Sequence, residues 1–295
     1  MPWLQVAVTA DQHLAPQIAD FLSDLGAVSV TYLDAADRPV YEPPPGTTVI
    51  WEDTRISALF DTATLPELLH VALQENFGAA CRDWSEEILP DQDWTRAWLE
   101  HYQPMWFGGR LWVGPHDCRP DAPAAAALYL DPGLAFGSGT HPTTALCLEW
   151  LATHELAGRC VIDYGCGSGI LAIAALLLGA SEAYAVDLDP QALAATTANA
   201  EQNGVAARLH VVFPEALPRA VQGDGLVANI LAQPLIELAP RLVNQIKPGG
   251  FFLLSGLLHD QADAVTAAYR EHGIVFETPR QREDWCLLVG TRPRS

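Results

Sequence analysis

The chain has 295 residues, 49% of them hydrophobic, so it is long enough to bury a full core in one large domain or two ordinary ones. Its 36 acidic and 16 basic side chains give a formal net charge of −20. This charge argues against sequence-independent nucleic-acid binding, which needs clustered Lys and Arg facing phosphates, and it is compatible with a basic protein partner.

The six cysteines form no C-x-x-C pair, and no His/Cys spacing is typical of a zinc site. Reduced thiols in a cytosol are therefore expected, with no metal. The first residues lack the basic start and apolar stretch of a signal peptide. The longest apolar run, Ile170 to Leu178, has nine residues and is too short to span a bilayer. We predict a soluble, cytoplasmic protein with no membrane association.

The first 88 residues alternate between hydrophobic patterns of period 2 and period 3.6, which predicts the order β-α-β-β-α-β and a ferredoxin-like domain. Three basic and fourteen acidic side chains give this segment a net charge of −11. The proline-rich stretch from Glu42 to Gly46 is predicted to be a loop. The predicted helices are Asp11–Leu25 and Leu65–Phe77, and the predicted strands are Leu4–Val8, Val28–Leu33, Thr48–Trp51 with Ile56–Phe60 as one long or two short strands, and Cys81–Ile88.

Residues 89–115 are rich in aromatic side chains and are predicted to link two domains. Trp94, Trp98 and Tyr102 recur every four residues, which would place them on one face of a helix. Two interpretations stay open for this face: it packs between the domains, or it grips a substrate. The other aromatic residues of the stretch are Trp106, Phe107 and Trp112.

From residue 116 to residue 295 strands and helices alternate, which predicts a second domain with a mostly parallel sheet covered on both faces. The last two strands are too close in sequence for a helical crossover and are expected to form an antiparallel hairpin at the sheet edge. The predicted strands are Arg159–Asp163, Ala183–Asp187, Leu209–Phe213, Leu226–Ile230, Phe251–Ser255, Ile274–Thr278 and Trp285–Thr291. The predicted helices are Ile170–Leu178, Pro190–Asn203, Leu235–Ile246 and Gln261–His272, with another within Thr140–Leu156.

The strongest local motif is a glycine-rich turn that follows the first of these strands. Asp163 precedes Gly165, Gly167 and Gly169, and Ile170 stands where a dinucleotide-binding G-x-G-x-x-G motif would have its third glycine. An aspartate before the turn suits a cationic ligand better than a pyrophosphate. S-adenosylmethionine, which carries a sulfonium and an ammonium and has no phosphate, fits this pattern.

Two more polar side chains follow neighbouring strand ends. Asp187 comes 24 residues after Asp163, where a carboxylate can accept hydrogen bonds from both ribose hydroxyls. The alternative for Asp187 is to cap the helix beginning at Pro190, which Asp189 would do more naturally. The amide of Asn229 could orient an amine nucleophile, hold the cofactor or close a structural turn.

A second glycine-rich loop lies upstream, from Leu130 to Thr144, and is able to wrap a ligand. Thr140 is a candidate N-cap for the helix that follows it. A histidine in the position of His141 is more typical of a capping or surface residue than of a catalytic base.

Four motifs together resemble the PrmA family, whose members methylate bacterial ribosomal protein L11. The resemblance runs from about Trp94 to Gly256, whereas the small domain agrees in its pattern and acidity rather than in a motif. The motifs are DPGLAFGSGTHPTT from Asp131, DYGCGSGILAIAA from Asp163, NILAQPL from Asn229, and KPGG from Lys247 with LSGL from Leu254.

The resemblance implies a seven-stranded class I methyltransferase domain behind a ferredoxin-like substrate-recognition domain. It implies S-adenosylmethionine as the cofactor and a basic ribosomal protein as the partner. The family commonly has Thr in place of Ser138, so the hydroxyl is kept. The family's cofactor contacts fall on Thr144, Gly165, Asp187 and Asn229, to which the glycine turn adds Asp163 and Gly167.

The predicted reaction is methyl transfer to lysine ε-amines and an N-terminal α-amine by in-line displacement at a sulfonium methyl group. Free lysine titrates near 10.4, so only on the order of one amine in a thousand is neutral at physiological pH. Burial beside a cationic cofactor would lower that pKa. Catalysis is expected to rest on positioning and desolvation, with Asn229 as the candidate for orienting the amine and no general base assigned.

Three alternatives remain at this point. One is a methyltransferase for another amine, although glutamine-type enzymes have two prolines after the Asn and this chain has Ile230 and Leu231. A second is an NAD-linked oxidoreductase, which Ile170 in the glycine turn disfavours. A third is a ribosome-assembly factor that retains the cofactor pocket without catalysis.

Overall fold

The computed structural model of the chain describes residues 2–36, 48–90, 103–121, 126–130 and 139–294. The chain divides into two compact units, Met1–Trp94 and Thr95–Ser295. In the described ranges, the helices are all too short or too polar to cross a membrane.

The first unit contains a four-stranded antiparallel sheet in the order β2-β3-β1-β4. Strands β1 and β2, joined by helix α1, lie on either side of β3, whereas β3 and β4, joined by helix α2, lie on either side of β1. The element order β-α-β-β-α-β is the predicted one. The elements are β1 (Trp3–Asp11), α1 (Ala15–Asp24), β2 (Ser29–Asp34), β3 (Asp53–Asp61), α2 (Pro66–Phe77) and β4 (Arg82–Leu89).

The core of the first unit lies between one face of this sheet and the two helices. Alternate residues of β1, such as Val6 and Val8, are buried there with Ile18 of α1 and Leu73 of α2. The prediction of a strand at Thr48–Trp51 is wrong. At that point the Thr54 hydroxyl donates to the carbonyl of Trp51 over 2.7 Å, a local bond typical of a turn, and β3 begins just beyond it.

Among the described residues of the second unit, a three-stranded sheet that the sequence does not predict comes first along the chain. Strand β5 (Met105–Phe107) pairs antiparallel with β6 (Leu111–Gly114), which pairs parallel with β7 (Ala126–Tyr129). The first two strands lie within the predicted linker 89–115, and Trp112 of β6 is only 2% exposed. The predicted helix face of Trp94, Trp98 and Tyr102 lies outside the described residues.

The large sheet of the second unit has the order β10-β9-β8-β11-β12-β15-β13, with β14 paired to β15. Strands β10, β9, β8, β11 and β12 run parallel in this order, as predicted. Helices connect β8 to β9, β9 to β10 and β11 to β12, whereas turns connect β10 to β11. The strands are β8 (Cys160–Tyr164), β9 (Glu182–Val186), β10 (Leu209–Val212), β11 (Gly223–Asn229), β12 (Ile246–Leu258), β13 (Val275–Phe276), β14 (Arg280–Arg282) and β15 (Trp285–Thr291). The helices are α3 (Pro142–Thr153), α4 (Ile170–Leu177), α5 (Pro190–Gln202), α6 (Ala232–Asn244) and α7 (Ala262–Arg270).

The predicted antiparallel pairing of the last two predicted strands is confirmed, since β13 pairs with β15. Strand β15 does not form the edge, however, because it inserts between β12 and β13. The short strand β14 adds a further antiparallel partner.

Both faces of the large sheet are covered. Val161 and Val227 point into one hydrophobic cluster, whereas their neighbours Ile162 and Leu226 point into another, and all four are fully buried. Strand β8 lies between β9 and β11, so the chain order reverses beside it. Ligands of open α/β sheets bind at such a reversal, outside the carboxyl ends of the strands. All the predicted site residues except Thr144, which lies in α3, are at or just beyond the carboxyl ends of β8, β9 and β11.

Candidate functional site

The glycine turn joins β8 to α4 and is tied to the end of β9. The backbone N–H groups of Gly165 and Cys166 donate to the Val186 carbonyl over 2.7 and 3.1 Å. Gly165, Gly167 and Gly169 have φ values of +80°, +54° and +78°, which side-chain-bearing residues rarely adopt. The turn therefore depends on glycine, and it presents its backbone at the carboxyl edge of the sheet.

Asp187 lies directly beside this turn. Its Oδ2 accepts from the N–H of Gly167 over 2.9 Å, and its Oδ1 accepts from the N–H of Asp189 over 3.0 Å. The helix cap is Asp189, whose carboxylate accepts from the N–H of Gln191 over 2.8 Å. The structure thus gives the capping role to Asp189 and places the Asp187 carboxylate at the glycine turn.

Asp163 is buried, with 1% of its surface exposed. Its Oδ2 accepts from the N–H of Ala172 over 3.0 Å, which satisfies a donor in the first turn of α4 where the N-cap, Gly169, has no side chain to do so. Its Oδ1 is buried and has no hydrogen-bond partner among the described residues. Burial raises the pKa of Asp163 to about 7, the Asp187 charge adds to this, and the bond from Ala172 opposes it.

Thr144 and Asn229 meet although they are 85 positions apart. The Nδ2 of Asn229, at the end of β11, donates to Oγ1 of Thr144 over 3.1 Å. Thr144 lies in the first turn of α3 and is fully buried, whereas Asn229 is partly exposed. Both residues are predicted from the sequence, but the bond between them is not. The bond leaves the Oδ1 of Asn229 as the amide atom that can accept from an amine.

His141, and not Thr140, is the N-cap of α3. Its ring accepts from the backbone N–H of Thr143, and Pro142 occupies the first helical position. The imidazole also packs edge-on against Trp285 at 4.8 Å between ring centroids. Partial burial lowers the pKa of His141 below its usual value, while Glu283 acts in the opposite direction. Residues 131–138 of the upstream glycine loop lie outside the described residues.

Helix α5 supports the glycine turn through two residues that the sequence analysis missed. The hydroxyl of Thr196 donates to the carbonyl of Gly167 over 3.0 Å, and the amide of Asn199 donates to the carbonyl of Ser168 over 2.8 Å. Their spacing of three places them on one helix face, and Thr196 is fully buried. Polar residues at this spacing on the buried side of a helix could have indicated this role from the sequence.

The residues of the turn fit S-adenosylmethionine. Asp163 and Asp187 bring two carboxylates to the glycine backbone, and the buried Oδ1 of Asp163 lacks a donor, so the turn suits a cationic ligand. No group of three or more His, Cys, Asp or Glu suitable for a metal ion occurs in the described ranges. The sheet order and this site define a class I methyltransferase.

The comparisons with known proteins give the family. The family model "Ribosomal protein L11 methyltransferase (PrmA)" matches residues 2–293, and the chain belongs to this family. Ribosomal protein L11 methyltransferases of Methylococcus capsulatus and Hahella chejuensis are 52% and 50% identical to it over 291 and 292 residues. These alignments cover 98% and 99% of this chain and 99% of each relative.

A solved structure agrees with this assignment. The crystal structure of a ribosomal protein L11 methylase from Lactobacillus delbrueckii subsp. bulgaricus superposes with a TM-score of 0.60 at 30% identity, covering 65% of this chain and all of that one. The predicted class I methyltransferase fold and the resemblance to the PrmA family are confirmed. The chain is an S-adenosylmethionine-dependent methyltransferase.

Proposed function

We propose that the chain transfers methyl groups to lysine ε-amines and to the N-terminal α-amine of ribosomal protein L11. The observation that carries this proposal is the Asn229 amide, which Thr144 holds by its Nδ2 at the end of β11. An uncharged acceptor can orient the N–H of an amine without stabilising the protonated form as a carboxylate would. S-adenosylmethionine supplies the electrophilic methyl group when it is bound.

We propose that Asp187 holds the ribose, that Gly165 and Gly167 present backbone to the cofactor, and that Asp163 attracts its cationic end. The cofactor contacts of Thr144 and Asn229 belong to the same proposal. Thr144 is proposed to affect the cofactor mainly by positioning Asn229, because its hydroxyl is buried and accepts a hydrogen bond from the Asn229 amide. These residues would also align the amine with the methyl group and exclude water. Such positioning accelerates an in-line displacement.

The acidic first unit is proposed to be a ferredoxin-like domain that holds the substrate protein. Its helix α2 exposes large hydrophobic side chains at Leu68 and Val71, which are 64% and 53% exposed, and Leu65 before the helix is 59% exposed. Glu67 and Glu75 lie on the same helix. An apolar stripe with acidic neighbours suits a basic protein, which a ribosomal protein is expected to be because it contacts RNA.

A methyl-transfer assay with mass spectrometry tests the reaction. Purified ribosomal protein L11 is incubated with this protein and isotope-labelled S-adenosylmethionine, and peptides are mapped for methylated amines. Label on lysine side chains and the first residue is expected. A substrate with a chemically acetylated N-terminus should lose only the α-amine label. Label confined to glutamine, or absent from both kinds of amine, would contradict the proposal.

The substrate surface has its own test in the intact chain. The double variant Leu68→Ser/Val71→Ser should raise KM for the ribosomal protein and leave the S-adenosylmethionine affinity unchanged. Val28→Ser is the matched control, since Val28 is 61% exposed in the same unit but lies off α2. Equal KM values for the double variant and the control would remove α2 from the docking surface.

Two partner and location proposals complete this picture. The net charge of −20 supports the absence of direct nucleic-acid binding. A ribosomal protein as substrate supports a cytoplasmic location, where ribosomes assemble.

A further inference from the structure

Ile230, the residue after Asn229, touches a glycine of a neighbouring strand end on each side. A Cβ built on Gly165 of the glycine turn would lie 2.2 Å from Cγ2 of Ile230, well inside contact distance. A Cβ built on Gly256 of β12 would lie 2.5 Å from the backbone oxygen of Ile230 and 2.8 Å from its backbone nitrogen. Ile230 thus fills space that any other residue at 165 or 256 would need.

The Gly256 side of this contact is built into β12. The N–H of Ile230 donates to the carbonyl of Ser255 over 3.1 Å, and Ser255 is the register partner of Asn229. The buried Ser255 hydroxyl donates to the carbonyl of Cys286 over 2.8 Å, at an irregularity in the pairing of β12 with β15. These bonds fix the backbone of Ile230 from one side and leave it little room to move.

On its other side, Ile230 contacts Gly165 of the glycine turn, which is proposed to hold the cofactor. The γ-methyl of Ile230 packs against Gly165, whose N–H is bonded to the end of β9. Ile230 therefore spans the distance between the turn proposed to hold the cofactor and the backbone that carries Asn229. The Asn229 side chain has its second anchor at Thr144.

We propose that Ile230, which packs between Gly165 and Gly256, is a positioning residue that sets the distance between the glycine turn and the Asn229 amide. This inference rests on the proposed role of Asn229 in orienting the amine. It gives a purpose to the LSGL motif, whose Ser255 pairs with Asn229 in the sheet and whose Gly256 lies against the backbone of Ile230. Loosening or displacing Ile230 should harm the alignment of donor and acceptor more than the binding of either.

The test compares single-turnover methyl transfer at saturating cofactor and substrate with S-adenosylmethionine affinity measured by calorimetry. Gly256→Ala forces the Ile230 backbone to shift, and the transfer rate should fall by about ten- to a hundredfold while the affinity changes less than about threefold. Gly273→Ala is the matched control. Gly273 has φ +83°, close to the +84° of Gly256, but a Cβ there meets nothing within 4 Å. It should carry the same backbone strain and keep the parental rate.

Substitutions at Ile230 test its contact with Gly165 and serve if Gly256→Ala does not fold. Ile230→Ala removes the γ-methyl that contacts Gly165 and should slow transfer with nearly unchanged affinity. Ile230→Val keeps a methyl at that position and should recover most of the rate. Equal rates in Gly256→Ala and Gly273→Ala, or an equal loss of rate and affinity in Ile230→Ala, would overturn the inference. An inactive parent protein would instead contradict the proposed function.

Discussion

The Asp187 carboxylate holds the glycine turn and is proposed to bind the ribose, so its removal is expected to weaken cofactor binding in two ways. Asp187→Ala loses charge-assisted hydrogen bonds to the ribose, each worth about 1.5–3 kcal/mol, and also frees the N–H of Gly167. S-adenosylmethionine affinity, measured by calorimetry, should weaken by about ten- to a hundredfold or more. Asp189→Ala is the control: it removes the cap of α5, costs about 1 kcal/mol of stability, and should leave the affinity intact. Parental affinity in a folded Asp187→Ala variant would place the ribose elsewhere.

Asp163 predicts a pH dependence of stability in the cofactor-free protein. Its pKa rises from 3.8 to about 7 on folding, so between these values the folded protein holds a proton that the unfolded chain has released. This group therefore lowers the free energy of unfolding by up to about 1.4 kcal/mol per unit as the pH rises through that window, and adds nothing further above it.

The comparison variant for this titration is Asp163→Asn, which has no carboxyl at that position. Urea unfolding across the window should show the variant gaining stability relative to the parent as the pH rises. Stability curves that run parallel would mean that the Asp163 carboxyl keeps its ordinary pKa after folding.

At the residue scale, the sequence identifies side chains that follow strand ends, because the topology brings those ends together. Asp163, Asp187 and Asn229 were all placed correctly at the carboxyl edge for this reason. The sequence could not reveal the Thr144–Asn229 bond, since it depends on how α3 packs. Nor did it reveal Thr196, which acts on the glycine turn from a facing helix.

At the scale of elements, the bond between α3 and β11 predicts how Asn229 variants differ. Asn229→Ala should lower turnover more than substrate-protein binding, because the docking surface remains. Asn229→Asp should keep partial activity if the carbonyl acceptor matters most, since the Thr144 hydroxyl can donate to a carboxylate in place of accepting from the amide. If the amide donor matters, the aspartate variant should resemble the alanine variant.

Thr144 separates these effects further. Thr144→Ser keeps the hydroxyl, whereas Thr144→Val removes it with little change of shape. Single-turnover methyl transfer should distinguish the two variants, with the valine variant slower. Near-normal rates for Thr144→Val and for both Asn229 variants would reduce Asn229 to a structural turn residue.

The helices and strands from β8 to α7 could be predicted because each has a clear hydrophobic period and a length typical of its type. The prediction failed for the sheet of β5, β6 and β7, whose strands have only three or four residues and lie among aromatic side chains. It also missed that β15 inserts between β12 and β13, because strand order depends on long-range pairing that spacing does not encode. The four-stranded sheet of the first unit has the predicted element order, and its strands β1 and β3 bury one face against the helices, which fixes their register.

At the scale of the whole molecule, the charge is unevenly shared. The first 88 residues carry −11 of the net −20 although they are under a third of the chain. Each of the predicted cofactor contacts lies in the unit Thr95–Ser295, so the two units are expected to separate docking from chemistry. This division makes the contribution of the acidic unit measurable.

A fragment comprising Thr95–Ser295 should bind S-adenosylmethionine with nearly the affinity of the whole chain, because the glycine turn, Asp187 and Asn229 are all retained. It should lose methyl transfer to ribosomal protein L11, because the acidic unit proposed to hold that basic substrate is missing. Calorimetry measures the first property and labelled-methyl transfer the second, with circular dichroism to establish that the fragment is folded. Raising the ionic strength should weaken substrate binding by the whole chain, since charge attraction is screened. Equal activity of a folded fragment and the whole chain would refute the docking role of the acidic unit, and an unchanged KM at high salt would show that its charge plays no part.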